Sequence, residues 1–242
     1  GLVGEGRMAE PEDIISFIET NFSEQLPLHG KTFLITAGPT FESIDPVRFI
    51  GNHSSGKMGF ALAETASKLG AKVFLISGPT NQKLSDSSID LTLITSSDEM
   101  YENVIAKYNS TDVVIMSAAV ADFKPKIISS NKIKKSNQSL LIEVENTKDI
   151  LASLGALKKH QFLVGFALET NNELENAKGK LKAKNLNLIV LNSLNDKGAG
   201  FKTDTNKVTF IDDKDNIYEF QLKSKAEVAS DLLNKIISEI DA

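Results

Sequence analysis

The stretch GNHSSGKM (51–58) fits the phosphate-loop pattern G-x-x-x-x-G-K-[ST] up to Lys57, then places Met58 where a magnesium-binding hydroxyl belongs. Such a loop joins a strand directly to its helix, so that the strand end aims the glycines at phosphate. Here the apolar run KTFLITA (31–37) stops well before Gly51, so this is not that loop. It reads instead as a helix start. Asn52, Ser54, Ser55, Gly56 and Lys57 would offer N–H groups, hydroxyls and an ammonium at a positive dipole end, which suits an anion. An ordinary capped helix is the blander reading. The insertion TFESIDPVRFI (40–50) carries Arg48 towards the same end; among 27 basic residues only Arg7 and Arg48 are arginine. An arginine in a lysine-rich chain points to a geometric task, such as a bidentate grip on an oxyanion.

Other groups able to do chemistry follow apolar runs. SAAVADF (117–123) sets Ala119, Ala121, Asp122 and Phe123 behind DVVIMSA (112–118). A loop there opens at the carboxyl edge of an α/β sheet, where ligands bind. Five lysines and no acid lie between 124 and 135, either a solvated loop or an anion-facing segment. Lys180 and Lys184 share one helical face at i,i+4. Phe166 reads by default as core, Gly38 as a turn residue in AGPT (37–40), and Asn192 as the polar end of a strand.

The elements that must position these residues alternate. Apolar runs at 31–37, 71–77, 91–95, 112–118, 161–168 and 186–192 are separated by helical patterns at 54–70, about 98–108 and near 172–184. Two of these strands end in the same GPT turn. Ser54 or Ser55 is placed to cap the helix at 54–70, and Gly70 to end it. The alternation predicts a Rossmann-like, doubly wound, mostly parallel sheet. SLLIEVE (139–145) reads as a further strand, and 207–212 with 216–222 as an added hairpin across 213–215. A final amphipathic helix is capped by Ser224. Residues 1–22 run from a glycine-rich loop into a helix near Pro11, and 23–30 read as a linker before a domain at 31–242.

The 242 residues carry a net charge of −5 and no cysteine, and 41% are hydrophobic. This is a globular composition without disulfide or thiolate chemistry, in keeping with the cytoplasm. No general field exists to bind nucleic acid. No apolar run reaches the roughly 18 residues that span a bilayer.

TAGPTFESIDPVRFIGNHSSGKMGFALAETASKLGAKV, SAAVADFKP, NKIKK, VGFALET, KNLNLIVLN and GFKTDTNKVTFI together resemble the phosphopantothenoylcysteine synthetase family. In bacteria that domain is commonly the C-terminal half of a bifunctional coenzyme A biosynthesis protein. GLVGEGRMAEPEDI resembles the end of the partner half, a flavin-dependent decarboxylase, with Arg7 and Met8 as remnants of its substrate clamp. The resemblance thus implies a synthetase domain carrying a decarboxylase tail, fused to that domain in the full-length protein and binding no flavin itself.

It also implies a ligase. The carboxylate of 4′-phosphopantothenate attacks the α-phosphate of CTP, giving an acyl-cytidylate and pyrophosphate; the amine of L-cysteine then displaces CMP. By resemblance Asn52 holds the reacting carboxyl group and Lys132, on a flap, serves cytidylyl transfer. Arg48, Ser54, Ser55, Gly56, Lys57 and Ala119 fall to the substrate. Gly38, Ala121, Asp122, Phe123, Phe166, Lys180 and Lys184 fall to the nucleotide, with Asp122 on a Mg2+ or Mn2+ ion. The position of Asn187, often Asp in the family, lacks that charge. A homodimer is implied. A nucleotide-binding oxidoreductase and a non-catalytic nucleotide-binding module on the same fold are the alternatives, and side chains alone do not separate CTP from ATP.

Overall fold

The computed structural model describes residues 8–135, 139–169, 171–193 and 203–240. Its main sheet holds β1 (Thr32–Ala37), β2 (Lys72–Ser77), β3 (Asp90–Leu93), β4 (Val113–Met116), β5 (Phe162–Glu169), β6 (Leu188–Ser193), β7 (Val208–Asp212) and β8 (Ile217–Glu219). In space the order is β3-β2-β1-β4-β5-β6-β7-β8. The first six run parallel, and β7 and β8 add the expected antiparallel hairpin at the β6 edge. The order reverses between β1 and β4. Sheets of this kind bind ligands at that crevice, outside the strands' carboxyl ends.

The central strands read as unbroken apolar runs because both faces are covered. Along β1, Phe33 and Ile35 pack against helices α2 (Lys57–Lys68) and α6 (Lys225–Ile240) through Leu62, Ala66 and Leu232. Leu34 faces the other way, into a core with Met100 and Val104 of α3 (Ser97–Tyr108), Leu154 of α4 (Ile150–Leu157) and Leu181 of α5 (Glu173–Ala183). Leu62 is fully buried; truncating it to Ala should cost about 2–5 kcal/mol.

Ser224 caps α6 as expected. Its hydroxyl accepts from the Glu227 N–H at 3.2 Å, and the Glu227 carboxylate accepts from the Ser224 N–H at 2.9 Å. The α2 cap differs from expectation. Neither Ser54 nor Ser55 caps it; Gly56 is the N-cap, at φ 76°, and no side chain bonds the first turn. The left-handed backbone is open to glycine without strain, and a Cβ there would sit 2.9 Å from Thr80 Oγ1. SLLIEVE is also mostly not strand: only Val144–Asn146 pairs, antiparallel, with Phe123–Pro125. A second short ladder joins Phe41–Ser43 to Phe49–Gly51.

Helix α1 (Pro11–Glu24) starts with proline at its first turn, where no N–H is missed. The segment after it, read as a linker, is tied to the domain. Leu28 is fully buried and its N–H donates to the Leu69 carbonyl at 2.9 Å.

Candidate functional site

A cavity of about 850 Å³ opens at the β1–β4 crevice. One wall is the helix-start loop, with Asn52, Ser54, Ser55, Gly56 and Lys57. A second wall is the loop after β4, which includes Ala119, Ala121 and Asp122. Phe166 of β5, Lys180 of α5, Lys184 at the C-cap of α5, and Asn192 near the end of β6 close the far side.

The repeated GPT turns hold the two loops in place. Gly38 is at φ 72°, and a Cβ on Gly78 would fall 1.6 Å from the Pro39 carbonyl oxygen, so the turns lie against each other only as glycines. Each threonine then supports one wall. The Ala121 N–H donates to Thr40 Oγ1 at 2.9 Å, and Thr80 Oγ1 donates to the Ser55 carbonyl at 2.7 Å. Thr147 Oγ1 donates to the Ala121 carbonyl at 2.7 Å, and the Thr147 N–H to the Asp122 carbonyl at 3.0 Å. The Asn52 amide joins the walls by donating to the Val120 carbonyl at 2.8 Å. Ala119 exchanges bonds with the Gly38 carbonyl and the Thr40 N–H. The peptide groups of Ala119 and Ala121 are therefore committed inside the protein.

Charge surrounds the cavity as ion pairs. Lys180 pairs with Glu169 at 2.6 Å and Lys184 with Asp149 at 2.8 Å, the two lysines lining the cavity from α5 and its C-cap. Asp149 also caps α4 through the Ala152 N–H at 2.9 Å. Burial pushes its pKa up, but the Lys184 ammonium and the Ala152 N–H prevail and hold it below the usual carboxylate value. On the opposite side Lys57 pairs with Asp204. Beside them lies Lys225, 8% exposed, whose ammonium donates to the Thr203 carbonyl at 2.5 Å. Burial first, and the Lys57 charge second, lower the Lys225 pKa.

Several expected residues lie elsewhere. Arg48 does not line the cavity: it grips Asp45 and donates to the Ile133 carbonyl at 2.9 Å. Gly38 serves the turn packing rather than the lining. Phe123, half exposed, sits on its short ladder outside the cavity. Lys132 is exposed on the lysine segment and away from the lining. Asn187 is explained at the opposite sheet edge, where its Oδ1 accepts from the Leu163 N–H at 2.9 Å and its amide donates to Asp213 at 3.3 Å. An aspartate there would oppose Asp213. The residues missed from sequence are Thr40, Thr80, Thr147, Asp149, Asn206 and Lys225; the doubled GPT was the visible signal for two of them.

Among the described residues no three His, Cys, Asp or Glu side chains group to hold a metal. Asp122 presents a lone carboxylate at the cavity. That donor set fits Mg2+, which takes one or two carboxylates and completes its shell with phosphate and water.

The profile of the DNA/pantothenate metabolism flavoprotein C-terminal domain matches residues 28–240. The chain belongs to this family. A relative named coenzyme A biosynthesis bifunctional protein CoaBC, from Bacillus subtilis (strain 168), is 47% identical over 98% of the chain. The chain spans 59% of that relative's length. Another relative, named cysteine/cysteine sulfinic acid decarboxylase and from an unknown prokaryotic organism, is 49% identical over 98% of the chain and 68% of its own length. A crystal structure of the C-terminal domain of CoaBC superposes with a TM-score of 0.77 at 42% identity, covering 90% of this chain and 99% of that one. The family's match begins at residue 28, so α1 precedes it.

Proposed function

We propose that this domain is a phosphopantothenate–cysteine ligase of coenzyme A biosynthesis that uses CTP. The observation that carries the reading is one cavity flanked by Lys57 and Lys225 on one side and Lys180 and Lys184 on the other, with Asn52 on the wall between the loops. Both substrates of the first step are phosphorylated, and opposed cationic walls suit two such anions meeting in one crevice.

The phosphopantothenate carboxylate attacks the α-phosphate of CTP; pyrophosphate leaves and an acyl-cytidylate forms. The cysteine amine then attacks the acyl carbonyl and CMP departs, the amine losing a proton. Asn52 is held by Val120 so that its side chain stays at the acyl group, and the α2 start supplies N–H groups to the oxygens that gain charge. Lys180 and Lys184 exchange carboxylate partners for nucleotide phosphates. Lys132 enters from the lysine segment during the first step. Asp122 would hold a Mg2+ or Mn2+ ion, which when bound offsets charge on the triphosphate.

The protein acts in the cytoplasm, as a homodimer. Phe49, 50% exposed, and Phe123, 51% exposed, lie on the two short ladders with Val144. The ladders touch one another and would present one apolar surface to a second copy. In the longer protein α1 would belong to the preceding decarboxylase domain. The test is pyrophosphate release from CTP that requires phosphopantothenate; release with neither acyl-cytidylate nor dependence on that substrate would refute the reading.

A further inference from the structure

The lysine segment is gripped at Ile133 by an ion pair. Asp45, 2% exposed, accepts through Oδ1 from the N–H groups of Val47 at 2.8 Å and Arg48 at 2.9 Å. Its Oδ2 accepts from Arg48 Nε at 3.0 Å and, across 88 residues of chain, from the Ile133 N–H at 3.1 Å. Arg48 Nη2 bonds Asp45 and also donates to the Ile133 carbonyl at 2.9 Å. Both backbone polar groups of Ile133, its N–H and its carbonyl, are thus held by one ion pair. A second bond, from the Ser129 N–H to the Ile44 carbonyl at 3.0 Å, fixes the segment four residues earlier. Further back, the Lys126 N–H donates to the Glu143 carbonyl at 3.0 Å.

Only a carboxylate can serve here, because every group facing Asp45 is a donor. An amide would turn its NH₂ towards an N–H or the guanidinium. Arg48 holds Asp45 well below the usual carboxylate range, so the grip stays charged at any physiological pH. The turn at 44–48 runs through the short strand Phe49–Gly51 directly into Asn52. The same stretch therefore holds the lysine segment at one end and a cavity wall at the other.

We infer that Asp45 and Arg48 anchor the lysine segment to the substrate wall, making Asp45 a positioning residue that sets where Lys132 starts from when it reaches the nucleotide. Its consequence for chemistry rests on the ligase reading; the anchor itself does not.

Two measurements on the full chain separate these parts. Without ligand, trypsin should cut Asp45→Asn after Lys132, Lys134 and Lys135 on the order of tenfold faster than wild type, with cleavage elsewhere unchanged. In a quench with labelled CTP and phosphopantothenate, Asp45→Asn should slow acyl-cytidylate formation by about 10²-fold, the usual effect of a small misplacement. Combining it with Lys132→Ala should add little to the Lys132→Ala loss, because the two act as one unit. If Asp45→Asn does not fold, Ile133→Pro removes the gripped N–H from a surface segment and leaves the ion pair intact; cleavage is then read after Lys134 and Lys135. Unchanged protection in a folded variant, or fully additive losses with Lys132→Ala, would overturn the anchor. Wild type that makes no acyl-cytidylate would defeat the ligase reading, while the trypsin result still judges the anchor.

Discussion

The amide of Asn52 donates to the carbonyl of Val120 at 2.8 Å, joining the loop before α2 to the loop after β4 at the wall of one cavity. Asn52→Asp would put a carboxylate against that carbonyl and against an acyl oxygen gaining charge. The expected outcome is an acyl-cytidylate that forms but is converted slowly by cysteine, with a loss of about 10²–10³ in that step. A quench with and without cysteine, scored for intermediate and CMP, checks it.

Thr40 is fully buried and accepts the Ala121 N–H. Thr40→Val keeps the shape and orphans a buried donor, so it should destabilise the protein by roughly 1–3 kcal/mol. Urea unfolding measures that loss. A weaker grip on CTP should accompany it, since the same loop lines the cavity; unchanged stability would deny the hydroxyl its role.

Much of this fold was legible because β1, β4 and β6 are buried on both faces and read as plain apolar runs. The helix-start wall was legible too, from its density of polar groups. What failed was side-chain direction. Arg48 looked free to meet an anion, yet Asp45, three residues earlier, closes the turn on it. Ser54 and Ser55 looked like caps, yet the left-handed Gly56 starts α2 after them. Lys225 and Asn206 reach the cavity through the packing of α6 and a short antiparallel ladder that joins Thr205–Asn206 to Lys223–Ser224, a long-range arrangement with no local pattern.

Asp149 gives a pH prediction. Its folded pKa is below its usual 3.8, chiefly because Lys184 and the Ala152 N–H outweigh burial. Between the two values the unfolded chain binds more protons, so this contribution is complete above about 3.9 and fades as pH falls through the lower folded value. Asp149→Asn keeps a good cap and loses the Lys184 pair. The variant should be less stable than wild type at pH 7, and the gap in urea midpoint should narrow as pH falls below the usual carboxylate value. A gap that stays constant with pH would contradict the assignment.

The exposed Phe49 and Phe123 predict association. Light scattering at micromolar concentration should give twice the chain mass, and Phe123→Asp should shift it towards monomer. A wild-type monomer at that concentration would remove the proposed interface.

The central claim is tested most directly by a quench with α-labelled CTP and phosphopantothenate, run on wild type, Lys132→Ala and Lys57→Ala. The account predicts acyl-cytidylate and pyrophosphate from wild type without cysteine, and CMP once cysteine is added. Lys132→Ala should lose the first step by about 10²–10³, while Lys57→Ala, whose ammonium is already shared with Asp204, should lose less. CTP left intact, or a first step that dies with Lys57→Ala and survives Lys132→Ala, would contradict it.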